Sequence, residues 1–246
     1  MSKKFKGKLC AYCATAISDT QDHLFARELF LVTDRGNLPK VPACDACNGR
    51  KSQLEHYAAS VLPFGGRHSA ALTNLQTMIP KRLEKSKPLF RSLDAGKGDI
   101  WVQEGSGLIV PTLAIPIDGL RLKELFEFIV RGLIWHHWRI YLRPCDSTHV
   151  MFLTTEGDRQ FKAGRFERKE GKRASESFGN GTVEYEGIQD PAAVRTTAWR
   201  IRLYGGIQFA TGNPAEGVCS IVGVTTQTRN SADDPKRLSP SRPIDV

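Results

Sequence analysis

The feature that most narrows what this chain can fold into is two short cysteine pairs, Cys10 and Cys13 in "CAYC" and Cys44 and Cys47 in "CDAC". A C-x-x-C spacing lets one tight turn offer two thiolates to the same ion, and the segment 14–43 between the pairs is long enough to bring all four sulfurs together. Thiolates are soft ligands that suit zinc better than magnesium or calcium. Four buried thiols or a redox pair are the competing readings, and a redox pair would not need the second pair. Six cysteines in 246 residues are too few for a disulfide scaffold. Four protein ligands make a closed, structural site, whose binding free energy, on the order of 10 kcal/mol, goes into folding the unit around it.

Composition sets the remaining bounds. A chain that is 40% hydrophobic and 25% charged can bury a substantial core. No apolar run approaches the roughly 20 residues of a membrane span, and "MSKKFKGKLC" lacks the apolar stretch of a secretory leader. A cytoplasmic protein without a membrane partner is the expectation. The formal charge of +9 suits a polyanion, because lysines and arginines on phosphates release condensed counterions. Nucleic acid therefore leads over an anionic membrane surface.

Along the chain, residues 1–65 read as a compact cysteine-containing unit. Within "CDACNGRKSQLEHYAASVL", Leu54, Ala58 and Val61 recur at helical spacing, so the second thiol pair opens a helix. Another helical run, "HSAALTNLQTMIPKRLEKSK", is expected to break at Pro80. Residues 66–229 read as an α+β region with mostly antiparallel strands. "DIWVQEGSGLIVPTLAI" predicts a hairpin turning at "GSG"; "THVMFLTT", "GTVEYEG", "AWRIRLYGGIQFA" and "VCSIVGVTT" predict further strands. A core helix runs through Leu122, Leu125, Phe126, Ile129, Leu133 and Ile134. Within "WHHW", His136 and His137 diverge by about 100° on a helix, which favours aromatic packing over a shared ion. Cys145 and Cys219 read as small core side chains. Residues 230–246 are too poor in large apolar groups to order themselves and read as a flexible tail. In "FKAGRFERKEGKR", Phe161 and Phe166 alternate with Lys162, Arg165, Arg168, Lys169, Lys172 and Arg173. That pattern reads either as a nucleic-acid-tracking segment or as a solvated hairpin tip.

Closing the loop through one zinc ion draws Asp22 and His23 toward the helix start that carries Asn48. A carboxylate, an imidazole and an amide oxygen form a hydrolytic inventory. "CAYC", "DH" and "NLPKVPACDACN" followed by Lys51 and Glu55 together resemble the zinc-containing branch of the HNH endonucleases, over roughly residues 9–64. The resemblance implies an N-terminal ββα-metal module, with His23 as the general base that deprotonates water. It implies Asp22 and Asn48 as oxygen ligands to a catalytic Mg²⁺ or Mn²⁺, and Asn37 as the residue that steadies the loop carrying the base. Lys51, one turn beyond Asn48, reads either as a contact to the phosphate or as a solvated helix charge.

The expected activity is metal-dependent hydrolysis of DNA phosphodiester bonds, one strand nicked per active site, so that a double-strand break needs a dimer or two encounters. A zinc-dependent binding module that has lost its activity, and a nuclease directed at RNA, are the alternatives. Restriction, phage defence, mobile-element and phage-packaging roles all stay open.

Overall fold

The computed structural model describes residue 5 and residues 7–103, 107–167, 170–208 and 217–228. The expected turn residues Gly105 and Ser106, the basic pair Arg168 and Lys169, and the expected tail lie outside the described residues.

Strands β1 (Thr20–His23) and β2 (Lys40–Ala43) pair antiparallel, with Thr20 opposite Ala43 and His23 opposite Lys40. Alternation along a strand puts Thr20 and Asp22 on one face and Gln21 and His23 on the other. Cys44, extended, leads directly into α1 (Asp45–Val61), which buries Leu54, Tyr57, Ala58 and Val61 at the i, i+3, i+4, i+7 spacing of an inward stripe. Lys51 is buried on the same helix.

Three short helices follow: α2 (Ser69–Thr77), α3 (Ile79–Lys85) and α4 (Lys87–Ala95). The chain breaks where Pro80 predicts. Proline stands in the first turn of both α3 and α4, where its missing N–H has no helical partner to lose. His68 caps α2, its Nδ1 accepting from the Ala70 N–H at 3.1 Å; Nε2 then carries the proton and donates to the Asn180 carbonyl at 3.0 Å. Strands β3 (Gly98–Gln103) and β4 (Ile109–Ala114) make a separate antiparallel ribbon, on which Trp101 is 71% exposed.

Helix α5 (Gly119–Trp138) holds the two halves of the chain together. Asp118 starts it by accepting from the N–H groups of Leu120 and Arg121, and Arg139 ends it in the left-handed conformation at φ 57°. All six apolar positions of the expected stripe are buried. On one side the helix presses on the N-terminal hairpin: a Cβ on Gly132 would come within 2.4 Å of a Leu24 methyl and 3.3 Å of the Tyr12 ring. Its other side meets the large sheet, where a Cβ on Gly223 would come within 2.2 Å of a Val130 methyl. One apolar core therefore runs from Cys10 and Val41 through α5 to Trp199 and Ile221.

That sheet has the order β5-β9-β8-β7-β6, antiparallel throughout, from β5 (Ser147–Leu153), β6 (Lys172–Phe178), β7 (Val183–Gln189), β8 (Thr197–Leu203) and β9 (Ser220–Thr226). The protein is thus α+β with antiparallel sheets, as expected. Among the described residues, no helix is long and apolar enough to cross a membrane.

Two expectations fail here. The segment after β5 is a helix, α6 (Thr155–Arg165), capped by the Thr154 hydroxyl accepting from the Gly157 N–H at 3.2 Å, and β6 follows. It is not a hairpin tip, because Phe161 and Phe166 meet at 5.9 Å and pack on Ile188 and Ala198. Cys145 is exposed rather than in the core.

Asp158 of α6 is buried under the sheet, gripped by both ends of the Arg200 guanidinium, with Nη2 at 2.6 Å, and by the Ser220 hydroxyl. Burial alone would raise its pKa, but Arg200 and Ser220 outweigh burial and hold it below the ordinary value. The folded protein therefore binds this proton more weakly than the unfolded chain, whose aspartates titrate near about pH 4. The stabilisation is complete above that pH and is lost as pH falls through the depressed native value. Asp158→Ala leaves the half-buried Arg200 beside the lone carboxylate of Glu186 and is expected to cost about 3 kcal/mol. Urea unfolding at pH 7 measures this, and Asp158→Asn should show a shallower acid-side loss of stability than the parent protein.

Candidate active site and metal centre

The four cysteines converge. The first knuckle is turned by Ala14, at φ 57°, with the Ala14 N–H bonded to the Cys10 carbonyl at 2.9 Å and the Cys10 N–H to the Ala16 carbonyl at 2.8 Å. It is fastened to the hairpin by the Ala11 N–H, which donates to the Pro42 carbonyl at 2.9 Å. The second knuckle is the start of α1, where Cys44 precedes the helix and Cys47 lies in its first turn, within the positive end of the helix dipole that favours thiolates. All four sulfurs lie within 4.8 Å of one another, Cys13 and Cys44 at 4.0 Å. Tetrahedral zinc with Zn–S bonds of about 2.3 Å places sulfurs roughly 3.8 Å apart, so the donor set and its spacing fit the ion.

Electrostatics point the same way. Burial, reinforced by the neighbouring thiols, pushes Cys47 far above an ordinary thiol, and burial raises Cys10. Burial opposes ionisation of Cys13 too, yet hydrogen bonds from Thr15 and Ala16 bring it down to about 6. Four thiolates this close need a cation, and a coordinated zinc ion reverses the local preference by deprotonating them.

Beside this knot, on the Asp22 face of β1, is a buried ionic chain. The Tyr12 hydroxyl, from inside the first knuckle, donates to Asp22 Oδ2 at 2.6 Å, and the Lys51 ammonium meets the same oxygen at 2.9 Å. Lys51 also donates to the His23 carbonyl at 2.8 Å and to Glu55. Burial and the charge of Asp22 push Glu55 up to about 7 against the pull of Lys51. The expectation that Lys51 reaches a phosphate is therefore corrected: its side chain is 0% exposed, and it clamps the strand carrying His23 onto α1. Replacing it by methionine would leave two carboxylates facing each other in the interior, a loss expected to reach ~3–5 kcal/mol. Chemical denaturation should register that loss, and the double variant Lys51→Met/Glu55→Met should recover part of it.

His23 lies on the opposite face of β1, half-buried. Burial lowers its pKa first, and the charge of Lys40, its cross-strand partner, lowers it further, with Arg27 and Lys51 adding to this and Asp22 opposing. The ring is thus held neutral. Lys40 is half-buried and Arg27 exposed, so the cations addressing His23 from the solvent side are these two. Sequence reading missed both, although Lys40 in "NLPKVPAC" becomes legible once the hairpin register is known.

Asn48 lies at the base of α1, where its amide Nδ2 donates to the Thr20 hydroxyl at 3.2 Å. Thr20 and Asp22 share a strand face, so the hairpin and the helix bring Asp22 and Asn48 to the same seam. Asn37 does something other than expected. It is an exposed turn residue at φ 58°, a conformation asparagine tolerates, and among the described residues its side chain makes no hydrogen bond that would steady the loop. That work falls to Lys51 on the His23 carbonyl and to the Leu24 N–H, which donates to the Pro39 carbonyl at 2.8 Å.

Of the expected basic segment, Lys162, Arg165 and Lys172 are exposed, and Arg173 donates to the Phe166 carbonyl at 2.6 Å. They lie on α6 and β6, not on the hairpin unit. No family model, curated protein or solved structure matches the chain.

Proposed function

We propose that the hairpin and α1 form the active site of an HNH-type endonuclease that hydrolyses phosphodiester bonds in DNA, with a structural zinc ion on the four cysteines. The observation that carries the reading is the division of labour across β1. Asp22 faces inward to the ionic chain, while its neighbour His23 faces outward, uncharged, beside Lys40.

Lys40 and Arg27 attract and orient the phosphate. His23 takes a proton from water as its oxygen bonds to phosphorus, and the bond from phosphorus to the leaving oxygen breaks. Asp22 and Asn48 suit a hard divalent cation, Mg²⁺ or Mn²⁺. Both donors to Asp22 fall on Oδ2, leaving Oδ1, and Asn48 has its amide oxygen to offer; such an ion keeps its other positions for water and phosphate. Bound there, it would supply Lewis-acid stabilisation of the charge on the leaving oxygen. The Lys51 charge opposes the ion, and Glu55 offsets that charge.

The test is incubation of supercoiled plasmid and a length-matched RNA with Mg²⁺ or Mn²⁺. Open-circular plasmid is the expected first product, absent with a chelator. Intact plasmid under both metals, or cleavage of RNA alone, would overturn the reading. Lys40→Ala is expected to raise KM about tenfold, the equivalent of about 1.4 kcal/mol, with a smaller effect on kcat; steady-state nicking rates on a labelled duplex separate the two.

A further inference from the structure

A second group of ligating side chains lies where the last turn of α5 meets the five-stranded sheet. His136 and His137 close the helix and Glu176 stands on β6, and one ligand atom from each lies within 4.8 Å of the other two. Adjacent helical residues start about 100° apart, a divergence that by itself favours aromatic packing of these histidines. The side chains overcome that divergence: the two rings meet edge to face with centroids 4.9 Å apart.

Neighbouring groups hold His137 and Glu176 in place. The His137 ring lies against Trp199, 5.7 Å between centroids and 29° from parallel. Glu176 is held by Tyr185, its cross-strand partner, whose hydroxyl donates to Oε2 at 2.9 Å. That hydroxyl has one proton, given to Glu176, so its oxygen accepts from His137 Nε2, 2.9 Å away. The phenol thus fixes the carboxylate and the imidazole relative to each other, as groups behind metal ligands do. Both histidines are half-buried and Glu176 is exposed, so an ion enters from solvent.

We propose that His136, His137 and Glu176 form a second metal site, separate from the thiolates, for a borderline divalent cation such as Zn²⁺. Two imidazoles and a carboxylate suit zinc rather than magnesium or calcium, which take oxygen ligands. Three protein donors leave one tetrahedral position for water or a substrate atom, the arrangement of an open site. This site stands whether or not the hairpin unit cleaves nucleic acid.

Zinc titration of the full chain, read by calorimetry and by metal content after desalting, tests it. The parent protein is expected to bind two equivalents. Glu176→Gln, at an exposed position that leaves the fold intact by circular dichroism, and His136→Gln should each weaken the second equivalent at least tenfold while the first stays. In a cobalt titration, intense thiolate charge-transfer bands should accompany one equivalent and only weak visible bands the other. One equivalent in the parent protein, or a second that survives Glu176→Gln or His136→Gln, overturns the site.

Discussion

With His23 replaced by alanine, DNA nicking is expected to fall by about 10³-fold, within the range of roughly 10²–10⁴ that a positioned general base contributes. The protein should otherwise be unchanged. The His23 side chain belongs to the solvent side of β1, and what fastens the strand to α1 is the His23 carbonyl, which accepts from Lys51 and survives the substitution. Zinc content and unfolding midpoint should therefore match the parent, and added imidazole should restore part of the rate. Parallel measurement of nicking, metal content and thermal unfolding separates loss of the base from loss of the fold. A His23→Ala protein that nicks at the parental rate would remove the imidazole from the chemistry.

Removal of zinc should have the larger effect on stability. Its binding is worth on the order of 10 kcal/mol, comparable to the whole stability of many domains. Without the ion, Cys10 and Cys47 return to the thiol form, the first knuckle loses its metal anchor, and Tyr12, which reaches from that knuckle to Asp22, goes with it. Cys44→Ser, or a strong chelator with mild heat, is expected to lower the thermal midpoint by well over 10 °C, since roughly 2–4 °C accompanies each kcal/mol in a chain of this size. The transition should report on Trp199 and Trp135 as well as on the knuckles, because the core is continuous. Fluorescence unfolding curves with and without zinc check this.

The parts of this structure legible in the sequence are those governed by local periodicity and by fixed ligand spacing. The two C-x-x-C knuckles, the α1 stripe of Leu54, Ala58 and Val61, the break at Pro80 and the inward face of α5 need no knowledge of distant partners. What escaped depends on such partners. Lys51 looks like any cation one turn beyond Asn48; only the arrival of Asp22 on one side and Glu55 on the other makes its burial tolerable. Phe161 and Phe166 read as rings for bases until Ile188 and Ala198 give them a surface. Lys40 gains meaning from the pairing register, and His136 and His137 from side-chain torsions that a helical wheel does not contain.

Gly132 carries a last consequence. Its bare backbone admits a Leu24 methyl and the Tyr12 ring to the surface of α5, so the amino-terminal unit completes its interior with a helix that begins at Gly119, well after that unit ends. Cut out alone, or grafted onto a foreign scaffold, that unit would carry an open hydrophobic wound on the side away from solvent. Autonomy of the amino-terminal unit thus ends at a single missing methyl group.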